Sequence, residues 1–162
     1  MTFPESKNYF MEEHFVNIED GKLRYLTAGS GRPLILLHTL RTQAEYFQFI
    51  IPALAEHFKV YALDLPGHGY SFNDNKYEYS EPYLRLCLLQ FLDSLNISNA
   101  IIAGESIGGT LALTMAAHDV KARIAGVIAF NPYDYGKGGG IKRSSFLASI
   151  LFTMIHWPVF GG

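Results

Sequence analysis

The segment Ala100–Thr110, with the sequence AIIAGESIGGT, joins a short apolar run to a stretch of small residues. Its first four residues predict a buried strand, and Ile107–Ala117 predicts a helix. Between them stands the pattern G-x-S-x-G. A strand that turns directly into a helix leaves no room for side chains at Gly104 and Gly108. The segment therefore predicts a sharp turn that presents Ser106 at the carboxyl end of a strand. The alternative is a glycine-rich turn whose serine only caps the helix.

Apolar runs and helical spacing alternate along the rest of the chain. Uninterrupted runs such as Leu34–Leu37 are typical of strands buried on both faces of a parallel sheet. The other predicted elements are the hairpin strands His14–Ile18 and Lys22–Ala28 with the turn Glu19-Asp20-Gly21, the strands Val60–Leu65 and Val127–Phe130, and the helices Gln43–His57, Glu81–Leu95 and Ser144–Ile155. This order predicts an α/β fold with a mostly parallel sheet, an antiparallel N-terminal hairpin and helices on both faces. No strand is predicted after the last helix.

The composition limits the classes of function. With 162 residues, of which 49% are hydrophobic and 17% charged, the chain has the composition of one globular domain. Its net charge of −2 gives no electrostatic reason to expect a nucleic-acid partner. The single cysteine, Cys87, excludes a disulfide within the chain and argues against a cysteine-based metal cluster. We expect no metal ion and no cofactor.

The ends of the chain bear on its location. The N-terminus, MTFPESKNYF, has no basic start followed by an apolar stretch, so a secretion signal is not predicted. The longest apolar segment, Phe146–Phe160, is too short for a comfortable membrane span and contains His156 and Pro158. We therefore expect a cytoplasmic protein without a membrane partner.

Three segments resemble, in the expected order, those of the α/β-hydrolase fold superfamily. They are LILLHTLRTQ (Leu34–Gln43), VYALDLPGHGYS (Val60–Ser71) and AIIAGESIGGT. Together with the opening hairpin they cover nearly everything from His14 to Phe130. The resemblance implies a hydrolase core over residues 1–135. It also implies the start of a lid over residues 136–162, and that the last strands of the family's sheet are absent.

The resemblance implies roles for single residues. Ser106 matches the nucleophile, and the backbone N–H groups of Ile107 and Leu40 match the two donors of an oxyanion hole. Such donors stabilise the negative charge that forms on a carbonyl oxygen during attack. Thr39 stands where the family pattern has glycine. His38, Thr39 and Glu105 are expected beside the pocket.

The activating partners of Ser106 are the open point. In serine members of the family the chain order is nucleophile, acid, histidine. Only His118 and His156 follow Ser106, and twelve residues of helix place His118 roughly 18 Å away along the axis. His156 falls where the family has its lid. Asp134 fits one family position for the acid, with a turn residue as the alternative. Because no base is identified, the chain is expected to be the N-terminal part of a longer hydrolase, with negligible turnover of simple esters.

The type of nucleophile indicates the chemistry. Family members that open epoxides or displace halide use aspartate, whereas serine indicates acyl chemistry. We therefore expect hydrolysis of an ester or related acyl bond in a small apolar molecule, and such an acyl substrate is the expected partner. Two alternatives stay open at this point: a non-catalytic binding module on a hydrolase scaffold, and an acyltransferase.

Overall fold

The structure is a computed structural model that describes residues 10–133. The strands are β1 (Glu12–Ile18), β2 (Gly21–Ala28), β3 (Arg32–Leu37), β4 (Phe58–Leu63), β5 (Ala100–Glu105) and β6 (Ile124–Phe130). The helices are α1 (Ile51–Leu54), α2 (Glu81–Ser94) and α3 (Ile107–His118), and Ala44–Phe47 forms one turn of 3-10 helix.

The strands form one sheet in the order β1-β2-β4-β3-β5-β6. β1 pairs antiparallel with β2, and β2 pairs antiparallel with β4. The pairs β4–β3, β3–β5 and β5–β6 are parallel. The predicted α/β class, with a mostly parallel sheet behind an antiparallel hairpin, is confirmed.

Side chains alternate between the two faces of the sheet because successive residues of a strand point to opposite sides. In β3, Ile35 and Leu37 belong to the core that contains the buried side chains of α2 and α3. Leu34 and Leu36 belong to a second core, together with buried residues of the 3-10 helix and α1. Helices therefore cover both faces, and β3 reads as a continuous apolar run because both of its faces are buried.

The predicted helix over Gln43–His57 is wrong, since this stretch contains two short helical segments with a break between them. Pro52 lies in the first turn of α1. Proline has no N–H to donate to the preceding turn, and it disfavours the helical conformation at the residue before it. A continuous helix therefore cannot pass through this point. The apolar spacing still identifies buried positions, because Phe47 and Ile51 both belong to the second core.

Some predictions fall outside the described residues. These are the helix Ser144–Ile155, the acid Asp134, His156 and the lid over residues 136–162. The domain boundary at residue 135 stays a prediction. Within residues 10–133, no helix is both long enough and apolar enough to cross a membrane.

Candidate active site

Ser106 lies between β5 and α3 in a conformation that few L-residues adopt, with φ of 54° and ψ of −115°. Its backbone N–H donates to the carbonyl oxygen of Phe130 at 2.9 Å, and its carbonyl oxygen accepts from the Thr110 N–H at 3.0 Å. A positive φ at a non-glycine residue is strained and persists only when its surroundings fix it. Here the end of β6 and the first turn of α3 fix the residue from both sides.

The two glycines of the motif are required by contacts with backbone. A Cβ atom at Gly104 would lie 2.3 Å from the carbonyl carbon and oxygen of Gly108. A Cβ atom at Gly108 would lie 2.2 Å from the carbonyl oxygen of Leu37. The first contact is the collision inside the turn that the sequence predicts. The second arises because α3 begins directly against the end of β3, a contact between elements that the motif alone does not reveal.

The side chain of Ser106 does not cap helix α3. No hydrogen bond joins it to the N–H groups of the first turn. Within residues 10–133, no histidine or carboxylate hydrogen-bonds its hydroxyl group. The alternative in which the side chain of this half-buried serine caps the helix is therefore contradicted.

Ile107 is the first residue of α3. The first helical hydrogen bond runs from Thr110 to Ser106, so the N–H of Ile107 precedes the intrahelical pattern. Unpaired N–H groups and the helix dipole together favour negative charge at such a terminus. An anion forming beside Ser106 would meet this end of the helix.

His38 ends strand β3 and is completely buried. Its Nδ1 donates to the carbonyl oxygen of Thr39 at 2.7 Å, and its Nε2 accepts from the N–H of Leu65 at 3.0 Å. Burial, with a smaller contribution from the nearby His68 ring, lowers the pKa of the imidazole to about 4. His38 is therefore neutral at pH 7, and its accepting nitrogen is already occupied by Leu65. It holds backbone in place and is not placed to act as a base.

The loop after His38 turns sharply at Leu40 and Arg41. Arg41 has a φ of 61°, whereas Thr39 does not adopt a positive φ. The carbonyl oxygen of Thr39 accepts a hydrogen bond from the Thr42 hydroxyl at 2.8 Å, which closes the turn. The side chain at position 39, where the family pattern has glycine, therefore causes no backbone strain. Leu40 is 51% exposed.

Glu105, the residue before the serine, is half-buried and accepts a short hydrogen bond from the Tyr46 hydroxyl. This bond raises the pKa of Tyr46. Both residues line an open cavity of about 550 Å³ on the second face of the sheet. Its other walls are mostly apolar and include Leu36, Phe47, Leu54, Ala103, Ile128 and Phe130. Through Gly104 and Glu105, the cavity adjoins the turn between β5 and α3 that contains Ser106.

The other candidate residues lie as follows. His118, at the exposed end of α3, bonds through Nδ1 to the carbonyl oxygen of Thr114 at 2.9 Å. Asp64, which follows β4, is fully buried and accepts the backbone N–H groups of Ala44 at 2.6 Å and Tyr70 at 2.8 Å. Asp64 thereby holds the far end of the loop that begins at His38.

A mostly parallel sheet of this strand order, with a strained serine between a strand and a helix, defines the class of α/β hydrolases. Residues 32–149 match the model of the alpha/beta hydrolase fold family. The chain belongs to this family.

Several relatives and solved structures are similar to the chain. An uncharacterized hydrolase of Saccharomyces cerevisiae is 32% identical over 138 residues, covering 81% of the chain and 46% of that protein. The 2-hydroxy-6-oxo-6-(2'-aminophenyl)hexa-2,4-dienoic acid hydrolase of Metapseudomonas resinovorans is 35% identical over 105 residues, covering 62% and 36%. The structure of CarC, a serine hydrolase involved in carbazole degradation, superposes with a TM-score of 0.69 at 28% identity, covering 76% and 48%. The chain spans less than half the length of each.

Proposed function

We propose that Ser106 is the nucleophile of a hydrolase that cleaves an ester or related acyl bond in a small apolar substrate. One observation carries this proposal. The serine is held in a strained conformation at the end of β5, and its side chain does not serve the helix that it precedes. Strain of this kind is found where function requires it. That CarC is a serine hydrolase supports the same reading of the nucleophile.

In the proposed reaction the Ser106 oxygen attacks the carbonyl carbon of the substrate, and the carbonyl oxygen becomes negative. The N–H of Ile107, at the start of α3, and the N–H of Leu40 would donate to that oxygen. Expulsion of the alcohol leaves an acyl group on Ser106, and water then releases it as an acid. Leu40, in the loop after β3, and Ile107, at the start of α3, would thus each donate one N–H to the same oxygen.

The hydroxyl proton of Ser106 needs an acceptor, and no histidine within residues 10–133 hydrogen-bonds it. Asp134 remains the proposed acid of the triad. The preference for an apolar substrate is supported by the cavity beside Glu105, whose walls are mostly aliphatic and aromatic. The cytoplasmic location stays a prediction from the sequence.

Acylation by an activated ester tests this proposal. The 162-residue chain is incubated with p-nitrophenyl butyrate, released p-nitrophenolate is followed, and the acylated peptide is identified by mass spectrometry. We expect about one acyl group per chain, on Ser106, with little further turnover, because an oxyanion hole alone retains part of the catalysis when triad members are missing. Ser106→Ala should abolish the adduct, whereas Ser98→Ala, at an exposed serine, should leave it unchanged. Equal acylation of the Ser106→Ala variant would contradict the proposal.

A further inference from the structure

Arg24, in strand β2, is a buried arginine with a complete set of partners. It is only 4% exposed, although arginine is almost never buried unless it is paired. Its two Nη atoms form a fork with the carboxylate of Glu45, at 2.6 and 3.0 Å. Nη1 also reaches Asp64 at 3.2 Å, and Nε reaches Glu13 at 2.6 Å. The guanidinium lies over the ring of Tyr70, 4.8 Å from its centroid.

Two of these partners, Asp64 and Glu45, lie at the end of the loop His38–Ala44. Asp64 accepts the N–H of Ala44 at 2.6 Å, and Glu45 is the next residue in the chain. The start of the loop is attached to the same place, because the N–H of Leu65 donates to the ring of His38. Residues 64 and 65 therefore fix both ends of the loop, and Arg24 joins its far end to them.

The backbone makes the link between Arg24 and Asp64 rigid. The N–H of Asp64 donates to the carbonyl oxygen of Arg24 at 2.9 Å. The N–H of Arg24 donates to the hydroxyl of Ser71, which in turn donates to the carbonyl oxygen of Asp64 at 2.7 Å. A Cβ atom at Gly69 would lie 2.1 Å from the Asp64 carboxylate, so the glycine leaves the space that the carboxylate occupies.

We propose that Arg24 is a positioning residue for the loop His38–Ala44. Through its fork to Glu45 and its bond to Asp64 it fixes where the loop ends, and so sets the place of the Leu40 N–H. The donor role of Leu40 rests on the proposed function, whereas the attachment of the loop does not. In the described part of the chain, Arg24 supplies the ion pair of the fully buried Asp64 carboxylate. Loss of the guanidinium would leave that charge unpaired.

The test compares Arg24 with a second buried arginine. Arg123 is 8% exposed and pairs with Asp119 at 2.8 Å, where α3 leads into β6. Within residues 10–133 its side chain bonds to Asp119, Asp93 and the carbonyl oxygen of Leu89, and not to the loop. Hydrogen exchange of the peptide covering residues 38–45 is measured in the 162-residue chain and in the variants Arg24→Met and Arg123→Met. We expect exchange of this peptide to be about tenfold faster in Arg24→Met, since charge-assisted bonds hold the loop. Arg123→Met should leave it unchanged.

A milder variant covers the case in which Arg24→Met does not fold. Glu45→Gln removes the negative charge that pairs with Arg24, at a side chain that is already 35% exposed. It should accelerate exchange of the same peptide by a smaller factor. Arg24→Lys, which keeps the charge but not the fork, should restore part of the protection. Unchanged exchange in both Arg24→Met and Glu45→Gln, or an equal increase in Arg123→Met, would overturn the proposal.

A second readout connects the loop to the reaction. The rate at which a fluorophosphonate modifies Ser106 should fall about tenfold in Arg24→Met, because a displaced oxyanion donor stabilises the transition state less well. An exchange effect without this fall would mean that Arg24 positions the loop but that the loop does not serve Ser106. Failure of Ser106 to react in the unchanged chain would count against the proposed function alone, because the exchange data decide the attachment independently.

Discussion

At the scale of single residues, His38 shows how a titratable side chain can stabilise backbone by staying neutral. The ring donates to Thr39 and accepts from Leu65, and only the neutral form can do both. The residue therefore has a structural role at the end of β3 and is not placed to act as a base.

This role predicts a loss of stability in acid. The pKa of His38 is about 4 in the folded chain and 6.5 without the fold. As the pH falls from 6.5 towards 4 the unfolded chain takes up a proton that the folded chain does not, so the free energy of unfolding decreases. The full effect is on the order of 3 kcal/mol. Urea unfolding between pH 7 and pH 5 should show this slope, and His38→Gln should flatten it. An equally steep slope in that variant would contradict the assignment, and His57→Gln, at an exposed ring, is the control.

At the scale of elements, the start of α3 depends on its contact with the end of β3. Gly108 is the point of contact, because a Cβ atom there would lie within 3 Å of the backbone of both Leu37 and His38. Neither neighbour is a flexible side chain that could move aside. The helix therefore begins where the strand permits it, and this contact sets the position of Ser106 as much as the turn itself does.

Alanine substitutions test this contact. Gly108→Ala should lower the free energy of unfolding by about 3 kcal/mol, since overpacking against backbone is costly. Gly126→Ala is the matched control: this β6 glycine has no positive φ, and its added Cβ would meet only Ile101 Cγ1 at 3.8 Å. That variant should change stability by less than about 1 kcal/mol. Similar unfolding midpoints in urea for both variants would show that the contact is unimportant.

The elements could be predicted to different degrees. The central strands are predictable because burial on both faces makes them uninterrupted apolar runs, as in Leu34–Leu37. The turn at Ser106 is predictable because only glycine fits at positions 104 and 108. The prediction of one helix over Gln43–His57 is wrong because apolar spacing indicates which residues are buried, not whether the helix is continuous. Pro52 interrupts the helical hydrogen bonds there. The role of Arg24 could not be predicted from a sequence pattern, because its partners lie 11, 21 and 40 residues away in sequence. Only the fold brings them together.

At the scale of the whole molecule, residues 10–133 bring together the proposed nucleophile and the two proposed oxyanion donors. The strained serine, the helix N-terminus behind it and a loop anchored at both ends come from β5, α3 and the β3 end. Asp134, the candidate acid, and His156 lie outside the described residues. Within residues 10–133, both imidazole nitrogens of His38 and the Nδ1 atom of His118 bond to backbone atoms rather than to Ser106.

The central claim is that Ser106 is a selectively reactive nucleophile, and labelling with a fluorophosphonate tests it most directly. The 162-residue chain is exposed to the probe at several pH values, digested, and analysed by mass spectrometry. The account predicts an adduct on Ser106 in preference to the exposed Ser30, Ser94 and Ser98. The labelling rate should rise with pH, because no histidine in residues 10–133 takes the hydroxyl proton. Adducts distributed among the serines by exposure, or none on Ser106 at any pH, would contradict the claim.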